Sequence, residues 1–127
     1  MNRIIKFRAW NGLDSRPEYR MLYQPNFSAE FRVIMPDGDE WDLPVMQYTG
    51  LKDKNGVEIY EGDILQNKSL SMKGVVQFET FSNSLGKYSG WCLYRKMKIG
   101  ENKIATWESP YWFIIGNIYE NPNLLEQ

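Results

Sequence analysis

Histidine is absent from all 127 residues. Its absence removes Ser-His-Asp and Cys-His catalysis, and with them the commonest transition-metal ligand. Cysteine occurs once, at Cys92, so neither an intramolecular disulfide nor a cysteine-rich zinc site can form. Its neighbours Trp91 and Leu93 place it in an apolar strand, where a packed thiol is expected in place of a nucleophile. No apolar run is long enough to cross a bilayer, and no basic-then-apolar signal opens the chain. The expectation is a soluble protein, without membrane contact, held in a reducing cytoplasm. A glycine-rich phosphate loop is missing too. Gly50, Gly56 and Gly62 are too widely spaced, and none precedes Lys-Ser or Lys-Thr. There are no internal repeats and no low-complexity segments. A net basic charge is also lacking: 15 basic and 16 acidic side chains give −1, which argues against a dedicated non-specific nucleic-acid binder.

What the chain does have is rings. Five Trp, eight Tyr and six Phe make up 15% of it, and hydrophobic residues 43%. Large rings remove enough area from water to build a core in a short chain. The patterning is that of strands, with little helix. Ile5, Phe7 and Ala9 alternate with Lys6 and Arg8, Asn11-Gly12 turns the chain, and Met21-Leu22-Tyr23 can return beside the first strand. Residues 30–35 read as another strand, broken by Pro36-Asp37-Gly38-Asp39, with Glu40-Trp41-Asp42 pairing back.

The central stretch, 45–65, is the most informative. Val45, Gln47 and Thr49 alternate with Met46 and Tyr48, so one face can be buried. Asp53-Lys54-Asn55-Gly56 carries the chemistry of a tight turn. A short connector leads to a second turn, Glu61-Gly62-Asp63, and then to Ile64-Leu65. Five strands follow in quick succession: 63–66, 73–81, 90–97, 104–108 and 112–115, with 83–86 a loop and 100–103 a turn. Five short strands with turn signals between them predict a small closed or nearly closed barrel. The ending Asn121-Pro122-Asn123-Leu124-Leu125 predicts one helical turn that packs both leucines.

Three blocks of this chain resemble the YopX family of phage and prophage proteins: Lys6-Phe7-Arg8-Ala9-Trp10, residues 45–65, and Ile115-Gly116-Asn117-Ile118-Tyr119-Glu120-Asn121-Pro122 with Leu124-Leu125. The resemblance implies a mainly β protein in which an amino-terminal β lobe packs with a carboxy-terminal SH3-like small barrel. It also implies a gene carried by a phage or an integrated prophage, and so the cytoplasm of a bacterial host. It brings no catalytic residues. The lobe with the central signature is expected over 1–60 and the barrel over 61–127, as one globular unit.

The candidate chemistry is thin. Asp37, Asp39, Glu40 and Asp42 cluster about Gly38, but without the spacing or closing Glu of a calcium loop they read as a solvated hairpin tip. Glu58, Glu61 and Asp63 could offer a carboxylate pair, yet Asp63 is better read as a turn residue that binds backbone N–H groups. Tyr48, Tyr60 and Tyr119 are expected to be half-buried. No catalytic residue, cofactor site or metal site is expected. Charge is more informative by segment: +3 over 1–24, −6 over 25–63, +5 over 64–105 and −3 over 106–127. Within the basic segment Lys87, Arg95, Lys96, Lys98 and Lys103 interleave with Tyr88, Trp91 and Tyr94. Such a face suits single-stranded nucleic acid. Equally, it can dock on the acidic segment within a chain or between chains, or stay solvated. The leading expectation is a non-enzymatic phage accessory protein that binds a host or phage protein or associates with itself. The alternatives are single-stranded nucleic-acid binding through this face and, with least support, a small enzyme.

Overall fold

A computed structural model describes residues 4–69, 71–84, 86–96, 101–104 and 111–125, except for the side chains of Phe81, Asn83, Tyr88, Arg95, Lys96 and 101–104. The protein is β-rich. Its chain divides into two compact units, Met1–Tyr48 and Thr49–Gln127.

In the first unit, β1 (Phe7–Trp10) pairs antiparallel with β2 (Met21–Tyr23), Trp10 opposite Met21. This is the hairpin expected from the alternation of 5–9. On its other side β1 pairs antiparallel with the start of β6 (Val45–Lys52), Ala9 opposite Val45. Ala9 is fully buried, whereas Ile5, two positions before the strand, is 65% exposed. On β6 the buried parity is Met46 and Tyr48, while Val45 faces solvent. The segment between β1 and β2 is anchored by Asn11. Its N–H donates to the Arg20 carbonyl at 2.6 Å, and its Oδ1 accepts from Leu13 N at 3.2 Å. Pro17–Tyr19 forms a 3-10 turn, as suits a proline that cannot donate to a strand ladder.

Three two-residue strands follow: β3 (Asn26–Phe27), β4 (Val33–Ile34) and β5 (Glu40–Trp41), antiparallel in that order. The strand expected over 30–35 shrinks to Val33–Ile34 because Ser28 closes a loop ahead of it. Ser28 N donates to the Arg32 carbonyl at 2.8 Å, and Ser28 Oγ accepts from Arg32 N at 3.2 Å. Side-chain bonds of this kind compete with sheet ladders for the backbone. The tip between β4 and β5 is solvated, with Asp37 Oδ1 accepting from Asp39 N at 3.0 Å.

In the second unit the order along the main sheet is β11-β10-β9-β8-β12, every pair antiparallel. These are β8 (Asp63–Asn67), β9 (Met72–Asn83), β10 (Gly86–Lys96), β11 (Glu101–Ile104) and β12 (Phe113–Asn117). The last strand returns beside the first. Ahead of them lies β7 (Glu58–Tyr60), where a connector was expected. Ile59 is fully buried and Tyr60 nearly so, and Thr49 Oγ1 donates to the Ile59 carbonyl at 2.7 Å. Tyr48 and Tyr60 are thus more buried than the half-buried expectation; Tyr119 matches it. Residues 101–103, expected as a turn, belong to β11; 105–108, expected as strand, lie outside the described residues.

The core of this unit is Ile59, Leu65, Val76, Leu93 and Trp112, with Met72, Trp91 and Ile114 packed against it. Cys92 is fully buried on β10, as a packed thiol should be. Pro122–Leu125 forms the expected closing helical turn, but Leu125 is exposed. No helix among the described residues is long and apolar enough to cross a membrane.

Candidate functional site

The polar residues of the central and closing blocks converge on backbone. Asp53 is buried, and its carboxylate takes three N–H donors. Oδ1 accepts from Asn55 at 2.8 Å and Val57 at 2.9 Å, and Oδ2 accepts from Ile114 at 3.0 Å. One side chain therefore shapes the 53–57 turn and clips it to β12. Lys54 N adds a bond to the Trp112 carbonyl at 3.0 Å. Gly56, at φ +80°, takes the left-handed backbone this turn requires.

Asp63 behaves likewise. It is buried, and its Oδ2 accepts from Tyr60 N at 2.8 Å, which closes the turn between β7 and β8. The same turn is held from both sides, with Gly62 N donating to the Val76 carbonyl at 2.9 Å and the Gly62 carbonyl accepting from Ile118 N at 3.0 Å. Asn117, also buried, accepts from Tyr119 N at 3.0 Å and Glu120 N at 2.9 Å through Oδ1, which turns the chain out of β12. Lys73 Nζ finally donates to the Leu124 carbonyl at 2.7 Å, tying the closing 3-10 turn to β9. These side chains are bound to main chain, as buried polar groups must be. They set turns.

The β9–β10 hairpin carries most of the sequence-predicted surface. Near its base, Val75, Val76, Cys92 and Leu93 bury both of its faces. Beyond them it emerges into solvent. One face there pairs Phe78 with Trp91, Thr80 with Ser89, and Ser82 with Lys87. The Phe78 and Trp91 rings meet edge-on with centroids 5.3 Å apart, while Phe78 keeps 52% of its surface exposed. Thr80 and Ser89 share a hydroxyl bond at 2.9 Å, and Lys87 is exposed.

Of the eight residues proposed for the surface, Lys87 and Trp91 therefore share a face. Tyr94 occupies the alternate parity, opposite Val75 on β9 and opposite the position of Lys103 on β11. The register sets the position of Arg95 opposite Asn102, and that of Lys96 opposite Glu101. The side chains of Tyr88, Arg95, Lys96 and Lys103, and all of Lys98, lie outside the described residues. Sequence reasoning passed over a second cationic feature. Lys54 and Lys68 both place their ammonium groups over the ring of Phe113, 4.8 and 5.6 Å from its centroid. The two lysines belong to different turns, so no local spacing announces them.

The Asp37–Asp42 stretch makes a different use of its charges. Asp42 pairs with Arg32 at 3.2 Å in the open, and among the described residues no three His, Cys, Asp or Glu side chains are grouped to hold a metal ion.

The YopX protein family model matches residues 6–126. The chain belongs to the YopX family. All three blocks that carried the resemblance fall within the matched residues, and in this YopX chain they furnish β1, the 53–63 turns and the turn after β12. A crystal structure of protein EF1440 from Enterococcus faecalis is similar to it, with 28% sequence identity and a TM-score of 0.52, over 98% of this chain and 99% of that one. No curated protein matches.

Proposed function

We propose that this YopX-family protein acts by binding and not by catalysis, in the cytoplasm of a bacterium that carries its phage or prophage. The observation that carries this reading is the use made of the signature side chains. Asp53, Asp63 and Asn117 are buried and committed to backbone N–H groups, so the residues that define the chain build turns. A catalytic pair would need at least one of them directed at a substrate. The order β11-β10-β9-β8-β12, with its last strand beside its first, supports an SH3-like barrel as the carboxy-terminal binding module. Small barrels of this kind host many unrelated partners, so the surface decides the function.

Self-association is the form of binding we favour. Leu13 at 84% and Phe31 at 80% exposure leave large apolar side chains open in the first unit, and the charge alternates in sign along the chain. Both suit a self-complementary contact between copies. Light scattering across a wide concentration range tests this. A dimer or larger assembly is expected, and a monomer at high concentration would refute it. A host or phage protein as partner is tested by pull-down from host lysate with and without nuclease, where a specific protein recovered in both cases supports it.

The second reading, single-stranded nucleic-acid binding, is favoured by the solvent-exposed half of the β9–β10 hairpin. There the exposed ring of Phe78, edge-on to a half-buried Trp91, shares a face with Lys87. Cations beside stacking rings are the usual equipment for that ligand. Nucleic acid recovered at low salt and lost at moderate salt would support this reading.

A further inference from the structure

We propose that Lys54, Lys68 and Phe113 form a phosphate-contacting site for single-stranded nucleic acid; this rests on the second reading above and gives it a location the β10 strand does not supply. Lys54 sits in the turn after β6, Lys68 in the turn after β8, and Phe113 opens β12. With Nζ atoms 4.8 and 5.6 Å from one ring centroid, the two ammonium groups lie within about 10 Å of each other. Both side chains are exposed, and among the described residues neither forms an ion pair.

Two like charges brought to one ring repel. The ring offsets this only modestly, because both cations are exposed to solvent. An anion within reach of both ammonium groups turns that repulsion into attraction. The ring also orders both lysines before a ligand arrives. A free lysine loses rotamer entropy on binding, and groups ordered in advance lose less of it. The backbone beneath is equally fixed. Lys54 N is bonded to the Trp112 carbonyl at 3.0 Å, and the Lys68 carbonyl accepts from Ser71 N at 3.2 Å. Tyr111, two residues before Phe113, keeps 57% of its surface exposed and offers a ring on which a base can stack. Two cations held at one ring, with an exposed tyrosine two residues before that ring in the chain, match the phosphate and base of a single strand.

The test is fluorescence anisotropy of a labelled thymidine oligonucleotide titrated with the full-length protein at several salt concentrations. Wild type, K54Q/K68Q, K54R/K68R and K87Q are compared. The wild type is expected to bind at low salt. K54Q/K68Q is expected to bind more weakly and with a shallower plot of log K against log salt, by about 1.4, since each phosphate contact on a single strand contributes about 0.7. K54R/K68R keeps the charge and is expected to keep the slope. Acetylation footprinting of the wild type reads the site without any substitution: Lys54 and Lys68 are expected to be protected when the oligonucleotide is bound. If K87Q changes the slope while K54Q/K68Q does not, or if neither lysine is protected, the site is wrong and the nucleic-acid reading stands. No binding by wild type at low salt overturns both. Equal displacement by inorganic tripolyphosphate at matched charge would reduce the site to a general anion contact and overturn its assignment to nucleic acid.

Discussion

Gly116 and Asn121 are in such close contact that a Cβ at position 116 would overlap the Asn121 side chain. A Cβ built on Gly116 would lie 2.8 Å from Asn121 Cγ and closer still to its Oδ1. Asn121 cannot simply move away. Its Oδ1 accepts from Asn117 N at 3.3 Å, and its own N donates to the Asn117 carbonyl at 2.9 Å. The contact also falls where the β12–β8 register shifts, between Ile114 and Gly116. Gly116→Ala is expected to destabilise the protein by about 1–3 kcal/mol, the usual cost of overpacking a fixed site. Urea denaturation measures it, and an unchanged midpoint would show that Asn121 yields. Asn121→Gly in the same background should recover part of the loss.

Asp53 is expected to be the most sensitive carboxylate in the chain. Its side chain bonds three backbone N–H groups, one of them across to β12. Hydrogen bonds to a charged acceptor contribute about 1.5–3 kcal/mol each, and buried donors left without a partner add their own cost. Asp53→Ala should therefore cost about 3 kcal/mol or more, with Asp53→Asn milder because one oxygen remains. Amide exchange localises the effect. The Ile114 N–H should lose protection first, and uniform loss across the sheet would mean that the clip is not local.

The readable parts of this fold were those in which one residue's pattern repeats. The β1–β2 hairpin and the strand at 45–52 followed from period-two alternation, and on β6 the face that is buried is that of Met46 and Tyr48. Asp63 was legible as a turn residue because a carboxylate beside Gly62 has few other uses. β7 was not legible. Three residues between two turns have no periodicity to show, and Ile59 is strand because Thr49 and the core hold it there. β3 was hidden for the same reason. The Lys54–Phe113–Lys68 contact joins three segments remote in sequence, so only the tertiary register could bring them together. The long-range bond from Asp53 to Ile114 was equally invisible, while the turn it shapes was plain from Asp53-Lys54-Asn55-Gly56.

Cys92 should be inert in the native protein. It is fully buried on β10 between Trp91 and Leu93, and reactivity needs an accessible thiolate. Ellman's reagent is expected to react with less than one thiol per chain over minutes in buffer, and with one in denaturant. Rapid native reaction would show that β10 opens locally. Cys92→Ala should fold, at a cost of about 1 kcal/mol for the small cavity.

Asp14 supplies a pH-dependent contact in the first unit. The Arg16 guanidinium, donating from Nε at 3.1 Å and Nη2 at 3.2 Å, holds its carboxyl below the usual 3.8, and the Arg16 N–H bond at 2.9 Å acts in the same direction. A carboxyl whose folded pKa is depressed stabilises the fold above its unfolded value, and that contribution disappears as pH falls through the folded one. The window therefore lies at and below pH 3.8. Above it, the contribution of this contact should not change with pH. Because the pair is solvent-exposed, its effect on global stability should be small and further screened by salt. The sharper readout is the Asp14 carboxyl resonance itself. Its midpoint should fall below 3.8 in the wild type and rise in Arg16→Gln, where the charged guanidinium is gone. A midpoint unmoved by that substitution would assign the depression to the turn backbone and leave Arg16 a bystander.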